Sequence, residues 1–89
     1  MFTGLIEEVG VVQQVRREGG VTKLAIKGKD ALADLSIGDS IAVDGTCLTV
    51  TTVEHGLFEV ELSDETLVRT TLGGLGPADQ VNLERPCRA

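Results

Sequence analysis

Apolar residues recur along much of the chain at every second position, the spacing of a strand with one buried face. Leu5, Val9, Val11 and Val15 predict one face of a first strand, with Glu7 breaking the rule. Gly19-Gly20 marks a turn, after which Leu24 and Ile26 alternate with Lys23 and Lys27 in a second strand. Lys29 to Leu35 predicts a helical turn with Asp30 as its N-cap, ended by Gly38. Ile41 and Val43 share a face, and Asp44-Gly45 then predicts a type I′ hairpin turn, which needs positive φ at both central residues. A returning strand runs from Thr46 to about Glu54, His55-Gly56 turns the chain again, and Phe58, Val60 and Leu62 form one face of the next strand. Ser63 is a good N-cap, Asp64 and Glu65 suit a first helical turn, and Gly73-Gly74 ends the helix begun at Asp64, which reaches about Thr70. Gly76-Pro77 is a loop, and Gln80 to Glu84 a last strand with Val81 and Leu83 inward.

Six strands with closely spaced turns predict an all-β barrel or sandwich. Closure would remove the exposed edges of a small open sheet. The stretch from Gly38 to Asp44 echoes that from Ala78 to Glu84, read here as two strands meeting the same packing demand. No linker or second domain is visible within residues 1–89.

Composition narrows the partners. A net charge of −6 repels phosphate backbones and anionic membrane surfaces, so neither nucleic acid nor membrane is expected. Phe2 and Phe58 are the only aromatic residues, too few for a base-stacking platform. The first residues show no basic, apolar leader pattern, which predicts a cytoplasmic chain with Cys47 and Cys87 as free thiols. One histidine and no clustered ligand spacing argue against a metal site.

Candidate chemistry follows from parity. If Leu48 and Val50 face the core, then Cys47, Thr49 and Thr51 face out. Ser40 and Ala42 join them from the paired strand, and Glu59 and Glu61 from the next. A thiol, hydroxyls and carboxylates therefore gather on the outside of adjacent strands. Taken singly, each has an ordinary reading: Thr on a half-buried strand, Cys as a small apolar residue, Glu as a solvated one, Ser63 as a cap and His55 as an exposed turn residue.

Several segments in series change the picture. Met1 to Glu7 (MFTGLIE), Gly38 to Val50 (GDSIAVDGTCLTV), Glu65-Thr66-Leu67 with Arg69-Thr70 and Leu72-Gly73, and Val81 to Arg85 (VNLER) resemble, in order, the first half of the riboflavin synthase family. The resemblance implies a six-stranded antiparallel Greek-key barrel with one or two short helices, the first of two tandem lumazine-binding barrels. It implies the dismutation of two 6,7-dimethyl-8-ribityllumazine molecules to riboflavin in riboflavin biosynthesis, without metal or organic cofactor. In that family each site lies between the first barrel of one subunit and the second barrel of its neighbour in a homotrimer. Carried over by motif, the substrate contacts are Gly4, Leu5, Ile6, Cys47, Leu48, Thr49, Glu61, Leu62, Ser63, Asp64, Glu65 and Thr66. Cys47 and Ser40 are the candidates for proton or nucleophile transfer. Since the chain stops at Ala89, before the family's second barrel, it is expected to bind lumazine or riboflavin, to turn over poorly, and to pair with a second copy. The alternatives are a non-catalytic lumazine or flavin carrier of the lumazine-protein type and an interaction barrel with no small ligand.

Overall fold

A computed structural model describes residue 2 and residues 4–86; the expectation for Cys87 lies outside them. The strands are β1 (Glu8–Glu18), β2 (Val21–Lys27), β3 (Ser40–Val43), β4 (Thr46–Glu54), β5 (Leu57–Ser63) and β6 (Gln80–Glu84), with one short helix, α1 (Asp64–Arg69). Two 3-10 turns, Asp30–Leu32 and Thr71–Gly74, complete the regular structure among the described residues. The strands close into an antiparallel barrel in the order β1-β2-β5-β4-β3-β6. Strands β3, β4 and β5 follow one another, and β6 returns to lie beside β3, which is a Greek key. Among the described residues no helix is long and apolar enough to cross a membrane.

Three tight turns set the hairpins. Gly19-Gly20 (φ 57 and 82), Asp44-Gly45 (φ 48 and 81) and His55-Gly56 (φ 50 and 77) all have positive φ at both central positions, the type I′ geometry that matches strand twist. The core is aliphatic around one ring: Phe58 is packed with Val12, Leu24, Ile26, Ile41, Val43, Leu48, Val50, Val60, Leu62, Val81 and Leu83. Gly10 marks where β1 passes closest to the interior. A Cβ there would lie 2.7 Å from Leu83 Cδ1 and 3.0 Å from Ile26 Cγ2, so a larger residue would push the strand off the core.

The first strand departs from simple alternation. Val12, not Val9 or Val11, is fully buried, while Leu5 and Val9 are exposed. A bulge is the cause: Val12 pairs with Ile26 but Gln14 pairs with Ala25, so Gln13 is an extra residue. Parity inverts across it, which lets Val12 and Val15 both reach the core. The same device recurs in β4, where Val50 pairs with Val60 and Thr52 with Glu59. Thr51 is the extra residue there. It is half-buried, its hydroxyl donating to the Glu59 carbonyl at 3.2 Å, rather than standing free on the outer face.

One cap differs from expectation and one helix end meets it. Asp30 does not cap the first 3-10 turn; the Glu8 carboxylate from β1 accepts from the Lys29 and Ala31 amides at 2.6 and 2.8 Å. Helix α1 ends at Arg69, one residue short of the expected Thr70 and well before the glycines. The Thr70 hydroxyl donates to the Thr66 carbonyl and accepts from the Leu72 amide, which starts the second 3-10 turn.

The echo between the strands after Gly38 and Ala78 proves to be part of a barrel-wide pseudo-two-fold. Ser36 and Gly76 amides donate to Asp39 and Asp79 carboxylates at 2.9 and 2.8 Å. Gly38 and Asp39 bracket Val50 with two backbone bonds, and Ala78 and Asp79 bracket Val12 in the same way, each immediately before a bulge. Ser40 pairs with Thr49 as Gln80 pairs with Val11, and Ala42 with Cys47 as Asn82 with Val9. The first 3-10 turn and α1 begin at equivalent places, Asp30 and Asp64. One half, β1-β2-β3, thus overlays the other, β4-β5-β6, although the β4–β5 hairpin is shorter beyond its bulge.

Candidate functional site

The outer face of β3 and β4 is assembled by register. Ser40 stands opposite Thr49, and Ala42 opposite Cys47. Cys47 and Thr49 are exposed, Ser40 is half-buried, and Cys47 is a free thiol. Ala42 also pairs with Glu84, so Cys47, Ala42 and Glu84 form a row across three strands. Ala42, the small central member, lies in a cleft of about 230 Å³ with Gly4, Ile6, Gly45, Asn82, Leu83 and Glu84. Two of the expected contacts, Gly4 and Ile6, are therefore brought to this row; Leu5 beside them is exposed.

On the other flank, β4 and β5 part. Their ladder runs from Glu54 and Leu57 to Val50 and Val60, beyond which Thr46–Thr49 pairs with β3 and Glu61–Ser63 with β2. Backbone groups facing across that gap are released from the β4–β5 ladder and free to meet a ligand's polar edge. Helix α1 opens at this point. Ser63 Oγ accepts from the Thr66 amide at 3.2 Å and lies 3.0 Å from the Thr66 hydroxyl. Both hydroxyls thus serve the cap first. Glu61, Asp64 and Glu65 are exposed and hold Lys23, Arg17 and Arg69 at 3.8, 3.3 and 3.2 Å. Such surface pairs are worth under about 1 kcal/mol each and exchange readily for another partner.

Leu48 and Leu62 point into the core, at 7% and 0% exposure, so only their backbone can meet anything outside. Glu59, expected as a solvated residue, is bound by both oxygens to Arg16 at 3.0 Å. His55 is exposed in its turn, paired with Glu54.

Two residues at the end of the barrel escaped the sequence reading. Glu84 is buried, and its carboxylate accepts from the Gly4 amide at 3.1 Å. Arg85 grips Glu7 with its amide at 2.6 Å and its guanidinium at 2.8 Å. Arg85 hydrogen bonding holds the Glu7 carboxyl below its ordinary value, and Glu7 reciprocally raises Arg85. Together they fasten the Gly4–Glu7 segment over the outer face. The adjacent acid and base in the Leu83-Glu84-Arg85 run were the available signal, but their partners lie at the far end of the chain.

Residues 3–86 match the family described as the lumazine binding domain. The chain is 45% identical over 89 residues to a riboflavin synthase of Actinobacillus pleuropneumoniae, covering all of this chain and 41% of that protein. It is 44% identical over 89 residues to a riboflavin synthase of Bacillus subtilis, again across 41% of the relative. Among solved structures it is similar to LumP complexed with riboflavin, with a TM-score of 0.88 at 24% identity, over 96% of this chain and 46% of that one. LumP complexed with 6,7-dimethyl-8-(1'-D-ribityl) lumazine superposes with a TM-score of 0.87 at 23% identity, over 97% of this chain and 49% of that one.

Proposed function

The chain belongs to the lumazine-binding domain family, and from that premise we propose that its β3–β4 outer face holds one lumazine or riboflavin ring. The observation that carries this reading is the continuous row Cys47, Ala42 and Glu84, walled by Gly4 and Ile6 and adjoining the parted strands at Glu61–Thr66. A flat ring lies across the small Ala42 side chain between Cys47 and Ile6. Its pyrimidine edge meets backbone donors and acceptors near Leu48 and Leu62. Ribityl hydroxyls exchange with the weak surface pairs of Asp64 and Glu65 and with the Thr66 hydroxyl.

The same face serves the dismutation of two lumazines as one of two substrate faces. Ser40 and Cys47 lie in adjacent rows of this face, where a hydroxyl and a thiol are able to relay the proton lost from the ring's methyl group. The four-carbon unit passes to a lumazine on a second face, which becomes riboflavin, and the donor leaves as a ribitylamino-pyrimidinedione. The second face is supplied by the second barrel of a neighbouring subunit or by a second copy of this chain. Residues 1–89 on their own bind ligand and turn over slowly. The 45% identity to riboflavin synthases favours the synthase role over a pure carrier.

Riboflavin titrated into the chain is expected to be quenched at one equivalent, and Thr49→Lys, which places a long charged side chain on the face, to weaken binding at least about tenfold with the melting temperature unchanged. Wild-type affinity in Thr49→Lys overturns the assignment. Riboflavin formation from lumazine at the rate of a two-barrel synthase overturns the slow turnover expected of residues 1–89.

A further inference from the structure

The pseudo-two-fold carries the β3–β4 face onto a second place on the barrel. Cys47 and Thr49 of β4 correspond to Val9 and Val11 of β1, since Ala42 and Ser40 pair with the first two as Asn82 and Gln80 pair with the second two. Matching Val50 and Val60 to Val12 and Ile26, the residues just before each bulge, brings Glu61, Leu62 and Ser63 onto Lys27, Gly28 and Lys29. At those positions the surface has a cleft of about 410 Å³ lined by Glu8, Val9, Val11, Lys27, Gly28 and Lys29. Five of these six residues are thus the counterparts of residues expected to touch the ring on the first face.

The shape is repeated but the charge balance shifts toward the positive. Glu61 and Ser63 of the first face are replaced by Lys27 and Lys29 and Glu65 by Ala31, while Asp64 keeps an acidic counterpart in Asp30 and Glu8 adds a carboxylate. Arg16, Arg17, Lys23, Arg69 and Arg85 each pair with a carboxylate. Among the described residues Lys27 and Lys29 enter no such pair, although the chain carries 14 acidic residues against 8 basic ones. The Glu8 carboxylate in the cleft makes no ion pair with either lysine and accepts instead from the Lys29 and Ala31 amides. Val9 is 51% exposed on the floor, an aliphatic surface for a flat ring.

We propose that this cleft is a second binding site, for a planar heteroaromatic molecule bearing an anionic group, such as a phosphorylated flavin. The ring lies on Val9 and Val11, and the anion between the Lys27 and Lys29 ammonium groups. The assignment by symmetry rests on the reading of the β3–β4 face as a ring-binding face; the cleft and its unpaired lysines stand independently of it.

Flavin mononucleotide and riboflavin, titrated calorimetrically into the chain at low salt, separate the sites. The expected result is two equivalents for flavin mononucleotide and one for riboflavin. The double variant Lys27→Glu/Lys29→Glu is expected to weaken the second flavin mononucleotide equivalent about tenfold or more. Val9→Glu, on the exposed floor, should do the same, with riboflavin binding and the circular dichroism spectrum unchanged. A single equivalent of flavin mononucleotide that is indifferent to both variants overturns this second site and leaves the first standing. A single equivalent abolished by both variants, with no riboflavin bound, supports the second site and overturns the first.

Discussion

At the scale of single residues, the informative positions are those where one atom has too many or too few partners. Thr22 is 3% exposed on the inner face of β2, and its hydroxyl has no hydrogen-bond partner. Replacing it by the near-isosteric valine removes that desolvated group and leaves the packing intact. Thr22→Val is expected to raise stability by about 1 kcal/mol, read as an increase in urea midpoint with no change in slope. A lower midpoint would show that the hydroxyl is satisfied in solution. Residue-level reading of the sequence succeeded where side chains act through spacing, as in Phe58, Val60 and Leu62, all fully buried. It failed at Val9 and Val12, because a bulge has no fixed residue signature. It also missed Glu8 as a cap and Glu84 as the anchor of Gly4, since both act across strands distant in sequence.

At the scale of elements, the strand boundaries were legible because turns announce them. Asp44-Gly45 predicted its conformation outright, and Ser63 followed by two acids predicted the start of α1. The Gly4–Glu7 segment was not legible, since its place over the outer face depends on an ion pair with Arg85. Its pH response follows from the sign of the shift. The Glu7 carboxyl is held below its ordinary value of 4.5, so the folded state binds that proton more weakly than the unfolded chain. The pair therefore contributes above that pH and is lost as pH falls through the lower, folded value. Being partly exposed, it is worth under about 1 kcal/mol, which suffices to release a segment without unfolding a barrel. Amide exchange at Glu7, whose N–H donates to the Leu83 carbonyl at 2.9 Å, corrected for intrinsic rate, is expected to accelerate below about pH 4.5 while Val60 and Val81 stay protected. Arg85→Gln should show the fast exchange already at neutral pH. Equal protection in both proteins would refute the anchor.

At the scale of the whole molecule, alternation gave an all-β chain but left barrel and sandwich open, and the family resemblance supplied the Greek key. Closure is a long-range property: β1 pairs with β6, from Glu8 with Leu83 to Val11 with Gln80, and no local pattern encodes that meeting. The same pairing brings Glu7 beside Arg85. A circular permutant that joins the two chain ends through a short glycine-serine linker and opens between the exposed His55 and Gly56 keeps every strand pair. It is expected to fold cooperatively and melt within a few degrees of the parent, since new termini in a surface turn cost little. A non-cooperative melt would mean that the barrel needs the continuous β4–β5 connection to melt as one unit.

Closure has a further consequence for how this protein meets other molecules. Among the described residues, closure confines unpaired strand border to short stretches such as Thr46–Thr49 of β4 and Glu61–Ser63 of β5, where the ladder parts. Addition of a long foreign strand is thus disfavoured, as is runaway stacking of copies into fibres through a sheet margin. Whatever docks is read by side chains on the convex wall, by the backbone of those short parted stretches or by the loops at the two rims. Specificity for new ligands is therefore open to change one outward residue at a time, with the inward alternate left untouched.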